Sequence, residues 1–217
     1  MPRTAEQNQA RTWAKFADGA ARLGSVFDHY RPAGPDAPLD PANRIGTVRA
    51  GISSDNLAFA SPSQYGKPAR QCMWDGRLTA VGDYFVGIPG TFFVAAQQLL
   101  LPPVAIECNE VASFARPGSS DAVGEITTYG GGDLASQVAL ATGWPCSRLT
   151  KSRGEKSDAN LPGDVKAPWL EFLVPAMPGV RILYDDIIDC TDGQRFLVSS
   201  AELSPLGWRI LAMLAAA

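Results

Sequence analysis

Gly82-Asp83-Tyr84-Phe85-Val86-Gly87-Ile88-Pro89-Gly90-Thr91-Phe92-Phe93-Val94 returns, 103 positions later and without a gap, as Asp185-Asp186-Ile187-Ile188-Asp189-Cys190-Thr191-Asp192-Gly193-Gln194-Arg195-Phe196-Leu197. Asp83 falls on Asp186, Gly90 on Gly193 and Phe93 on Phe196; beyond the hairpin Leu100 falls on Leu203 and Pro102 on Pro205. Each copy reads as strand, Gly-containing turn and strand. A recurring unit fixes architecture before any single residue is interpreted. The repeat predicts a mainly β chain: two small antiparallel barrel-like modules made by internal duplication, preceded by an N-terminal helix. Asp83, Gly90, Phe93, Asp186, Gly193 and Phe196 are its repeated turn and structural positions, and Phe93 and Phe196 are expected to be equivalent core residues.

Outward from the second copy, Val180, Ile182 and Tyr184 alternate with Arg181, Leu183 and Asp185, which reads as a half-buried strand. Phe196 and Val198 fall on one side of the next strand, with Arg195 and Leu197 on the other, and Trp208 to Leu214 reads as the closing strand. Around the first copy, strands are expected at Ile45 to Val48, Leu78 to Val86, Thr91 to Gln97, Val104 to Cys108 and Val111 to Ala115.

Thr4-Ala5-Glu6-Gln7 has the form of a capping box and opens a helix whose Trp13, Phe16, Ala20, Leu23 and Phe27 recur at helical steps, with Gly24 as a stop signal. That apolar stripe suits either the protein's own core or a neighbouring subunit, so Trp13, Phe16 and Leu23 are candidate interface residues. Prolines between Tyr30 and Arg70 suit irregular strands at a barrel rim or a long ordered arm. Gly118 to Asp133 reads as the boundary between modules, followed by a short helix from Leu134 to Ala141. The expected organisation is residues 1–28 as helix and docking arm, 29–118 as the first module, 119–134 as linker and 135–217 as the second module. Lys151, Arg153 and Lys156 lie in a polar loop from Arg148 to Lys166. It is either a solvated loop or an element reaching a neighbouring subunit or DNA.

Hydrophobic residues make up 46% of the chain and charged ones 19%, a globular composition. The 17 prolines and 21 glycines favour short strands and tight turns. A net charge of −3 leaves DNA contact, at most, to that local basic loop. Thr4 to Phe16 has no apolar signal-peptide core, and the longest apolar run, Leu99 to Ile106, is broken by prolines, so no membrane partner is expected. Cys72, Cys108, Cys146 and Cys190 lack the close pairing of a zinc site and read as free thiols.

The chemistry-bearing residues are sparse. His29, the sole histidine, is expected to be structural at a helix end. Asp185, Asp186, Asp189 and Asp192 lack the ligand pattern of a calcium loop, and Gly130-Gly131-Gly132 lacks the Lys-Ser/Thr of a phosphate-binding loop. The reading assigns no catalytic residue, no metal and no cofactor, and leaves a hydrolase using the acidic cluster as a remote alternative.

Tyr184-Asp185-Asp186-Ile187-Ile188, Asp192-Gly193-Gln194-Arg195-Phe196-Leu197-Val198 and Gly207-Trp208-Arg209, with Val81 to Val111 as the central match, resemble the small β-barrel proteins of tailed-phage necks and tails. These are the head-completion, stopper and adaptor components, and the likeness extends to podophage-like structural proteins through His29-Tyr30-Arg31-Pro32 and Pro38-Leu39-Asp40-Pro41. Simple stoppers have one barrel, and the duplication departs from them. The resemblance implies a non-enzymatic virion protein, made in the host cytoplasm and assembled as a homo-oligomeric ring of six or twelve copies. Its implied partners are portal, adaptor, tail tube or nozzle, or fibre. A fibre-anchoring or capsid decoration protein is the alternative.

Overall fold

The computed structural model describes residues 4–52, 67–118, 137–150 and 169–215. Helix α1 (Ala5–Leu23) begins with the expected reciprocal cap: Gln7 N donates to Thr4 Oγ1 at 3.3 Å and Thr4 N donates to Gln7 Oε1 at 3.2 Å. Gly24 ends it in an extended conformation (φ −86°) rather than a left-handed one and leads straight into the first strand, at a point where a Cβ would come within 2.5 Å of Ala20 O.

The first barrel comprises β1 (Ser25–Tyr30), β2 (Arg44–Ile52), β3 (Ala69–Met73), β4 (Tyr84–Gly87), β5 (Gly90–Ala96) and β6 (Val104–Cys108). The second comprises β7 (Glu110–Arg116), β8 (Val138–Thr150), β9 (Trp169–Val174), β10 (Ile187–Cys190), β11 (Arg195–Ser204) and β12 (Gly207–Leu214). Both close antiparallel in one order: β1-β2-β3-β6-β5-β4 in the first, β7-β8-β9-β12-β11-β10 in the second. Closure leaves neither sheet with an unpaired edge. The duplication extends to irregularities, since β5 bulges between Val94 and Ala96 while β11 bulges between Val198 and Ser200.

Backbone pairing corrects the gapless alignment. Val94 N donates to Asp83 O and Val198 N donates to Asp186 O, both at 2.8 Å, which makes Val94 the counterpart of Val198. The cause is turn length. Gly87 pairs with Gly90 across a two-residue loop, whereas Cys190 N bonds Gln194 O across three residues, Thr191 to Gly193, with Gly193 at φ +80°. Gly90 therefore opens a strand while Gly193 supplies the left-handed turn position that glycine adopts at little cost. One residue is inserted, and Phe196 becomes the counterpart of Phe92 rather than Phe93.

Strand alternation then sorts the aromatics. Phe27, Trp74, Phe85, Phe92 and Val94 fill the first barrel; Phe114, Phe172, Ile188, Phe196 and Ile210 belong to the core of the second. Tyr84 and Phe93 point out of the first barrel into that second core. The Tyr84 hydroxyl donates to Pro145 O at 2.7 Å, and its ring lies 6.1 Å from Trp144. Four consecutive buried residues, Trp144 to Ser147, mark β8 as the seam, with one barrel on each of its faces.

Several expected boundaries move. β7 belongs to the second barrel, so the junction lies at Asn109 rather than in 119–134, and β1 starts at Ser25, inside the segment assigned to the docking arm. Val138 to Ala141 begins β8 instead of ending a helix, because it pairs with β7. Val180 to Asp185 is not a strand: Tyr184 and Asp185 form a turn, with Tyr184 67% exposed. Lys151, Arg153 and Lys156 lie outside the described residues.

Candidate functional site

The turn before β4 and the turn before β10 each end in a buried aspartate, and each of these carboxylates gathers several hydrogen-bond donors. Asp83 and Asp186 are each 1% exposed. Arg31, just past β1, donates to Asp83 through Nε (2.8 Å) and Nη2 (2.7 Å). His29 Nε2 donates to Asp83 Oδ2 at 2.7 Å, and Ala80 N donates to the same oxygen at 2.7 Å. In the second barrel Arg116, the last residue of β7, donates to Asp186 through Nε (2.8 Å) and Nη2 (2.9 Å), while Leu183 N donates at 2.7 Å. The two constellations are one device: a strand-end arginine grips a turn carboxylate that also holds the amide three residues before it. The histidine differs, and Arg116 Nη2 donates also to Arg181 O at 2.9 Å. His29 pairs with Phe85 and Phe114 with Ile188, so a phenylalanine stands in the second barrel where His29 stands in the first.

A carboxylate has about four lone-pair sites, and Asp83 receives four donors. Burial pushes its pKa up, but the bonds from Arg31, His29 and Ala80 outweigh this and hold the carboxyl below its ordinary value. Such a group is an acceptor already filled, not a base waiting for a substrate proton. His29 sits on β1 rather than at the helix end, buried in that clamp.

The remaining acidic residues diverge. Asp189 pairs with Arg195 (2.6 and 2.9 Å), and Asp192 with Arg148 (2.7 Å). Asp185 takes a left-handed conformation (φ +65°) where its counterpart Gly82 has φ +93°. Asp185→Gly should therefore raise stability by about 1 kcal/mol, read as a higher melting temperature.

Glu110, Cys190 and Asp192 bring their ligand atoms within 4.8 Å of one another. Arg148 serves this cluster as its cation, with Nη1 3.1 Å from Glu110 and 2.7 Å from Asp192. Burial raises the Cys190 thiol to about 11 and that of Cys72 to about 12, and lifts Cys108 and Cys146 as well. Near neutral pH these thiols stay protonated, which leaves them poor nucleophiles.

Of the candidate interface residues, Trp13 and Phe16 are half-buried. Trp13 lies over Gly76, where a Cβ would come within 2.5 Å of the indole. Leu23 is 80% exposed. Gln9, in the same helix, accepts a hydrogen bond from Leu100 N at 2.5 Å. Sequence reasoning passed over Arg31, Arg116 and Tyr84; their one signal is that a strand-end arginine occurs in both modules. Among the described residues, no helix is long and apolar enough to cross a membrane. No family model, no curated protein and no solved structure matches this chain.

Proposed function

We propose that this chain is a non-enzymatic structural protein of a tailed-phage particle, part of the head-to-tail connector or tail, working as an oligomeric ring. The observation that carries the reading is the tandem of two closed barrels with one strand order, packed face to face within one chain. Such a tandem offers repeated surfaces for assembly. Asp83, Asp186, Asp189 and Asp192, the acidic groups an enzyme could use, are each paired with an arginine. The resemblance of the repeated hairpins to neck and tail barrels supplies the setting, the virion, and the partner classes: portal, adaptor, tail tube or nozzle, and fibre.

Co-sedimentation with tailed particles in a density gradient, with copy number counted, tests this reading. About six or twelve copies per particle is the expected result. Hundreds of copies would replace the ring with a shell decoration, and absence from every particle fraction would remove the virion reading. Alanine replacement of Asp186 and Asp189 then addresses the hydrolase alternative, since only an enzyme has turnover to lose.

A further inference from the structure

Within the chain the first barrel docks on the second in part through a cross-strand row, Tyr84–Phe93–Ile106, each residue paired with the next across β4, β5 and β6. All three belong to the core that the two barrels share. By register the same row on the second barrel is Ile187–Leu197–Met213, paired across β10, β11 and β12. The chemistry is again apolar throughout. Yet, among the described residues, Leu197 and Met213 belong to neither apolar core and are only half-buried, while Ile187 beside them is itself buried, 7% exposed. The second barrel thus repeats the docking row of the first and, among the described residues, leaves Leu197 and Met213 outside both cores.

The receiving side repeats as well. On the second barrel Ser147 pairs with Leu173, and Leu173 lines a cleft between the barrels together with Phe93 and Ile106 of the first. The equivalent pair on the first barrel is Gly51 and Met73. There, α1 covers part of the face, with Gly19 against Met73. Beside the helix an apolar groove of about 450 Å³ remains, lined by Gly51, Ile52, Met73 and Pro102, with Phe16 and Leu23 at the helix side.

We propose that Leu197 and Met213 of one copy dock in the Gly51–Met73 groove of a second copy, repeating between chains the contact that the barrels make within one. Donor and receiver are different surfaces, so the interface is heterologous and propagates head to tail, closing into a ring where the rotation permits. The row supplies apolar knobs, the groove supplies apolar walls, and the intrachain seam shows that this fold packs such a pair. The proposal rests on the assembly reading above and names the contact that assembly would use.

Sedimentation velocity on the purified full chain, from about 1 to 100 µM, tests it. The wild type should associate as concentration rises. Leu197→Glu (donor side) and Leu23→Glu (receiver side) should each weaken self-association about thirtyfold or more. The decisive step is mixing. Each variant keeps one intact surface, so a one-to-one mixture should form a heterodimer and nothing larger. Met213→Glu repeats the donor test should Leu197→Glu melt abnormally. A wild type that stays monomeric, variants that still associate, or a mixture without heterodimer would each overturn the interface. A chain that co-sediments with particles but never self-associates would keep the virion reading and lose this contact alone.

Discussion

Phe196→Ala and Phe92→Ala should each lower the unfolding free energy by about 3–5 kcal/mol, read from chemical denaturation with an unchanged slope. The two rings occupy the same place in the two barrels: Phe92 pairs with Phe85 and Phe196 pairs with Ile188, and the two residues are 4% and 0% exposed. Phe92 makes an edge contact with Phe27 at 6.0 Å, and Phe196 one with Phe172 at 5.4 Å. A closed barrel has little freedom to collapse around a lost ring, since its strands are hydrogen-bonded on both sides, so the cavity persists. Two equal losses would establish that the barrels are built alike. A loss below about 1 kcal/mol at either site would mean that the ring is not packed inside its barrel.

Phe93→Ala belongs to a different experiment, and the reason shows what the sequence could and could not reveal. A hairpin of alternating residues is legible because period-two burial leaves its mark on a strand covered on one face, as in β7, β11 and β12, whereas β5 is buried on both faces. Turn length is not legible in the same way. Ile88-Pro89 closes in two residues and Thr191-Asp192-Gly193 in three, and both satisfy turn chemistry. A single inserted residue moves every later side chain to the opposite face. The gapless alignment therefore equated Phe93, an outward residue of the barrel seam, with Phe196, an inward one.

The clamps were half legible for a related reason. Asp83 and Asp186 stood out because they keep a fixed distance to their own hairpins. Arg31 and Arg116 did not, since Arg31 precedes Asp83 by 52 residues and Arg116 precedes Asp186 by 70. Connections of unequal length lie between, so no single offset relates both members of each pair. The seam escaped for another reason: Tyr84 reads as an ordinary strand residue until Pro145 O is found beside its hydroxyl. Burial holds that phenol's pKa well above its ordinary value, so it remains a donor. Val180 to Asp185 shows the converse error. Its alternation is real, but the Asp186 carboxylate bonds Leu183 N and bends the segment into a turn.

Asp83→Asn should cost about 2–3 kcal/mol at pH 7, and the difference from wild type should shrink in acid. The amide keeps the shape of the carboxyl but turns an NH₂ toward donors, so at least one of His29, Arg31 and Ala80 loses its acceptor. His29 and Ala80 cannot easily recover by turning to water, because the site is buried; Arg31, about half exposed, can. That difference keeps the expected loss below the full cost of breaking a wholly buried ion pair. The sign of the pH dependence follows from linkage. The folded carboxyl titrates below its ordinary value, so the unfolded chain binds the proton first as pH falls. The clamp's contribution is complete above about pH 4 and is lost as pH drops through the lowered folded value. Urea unfolding of wild type and Asp83→Asn, stepped from about pH 7 to about pH 2, should therefore show two stability curves that converge at the acid end. Parallel curves would mean that Asp83 is held for its shape alone, and the arginine clamp would then be a consequence of the turn rather than what fixes it.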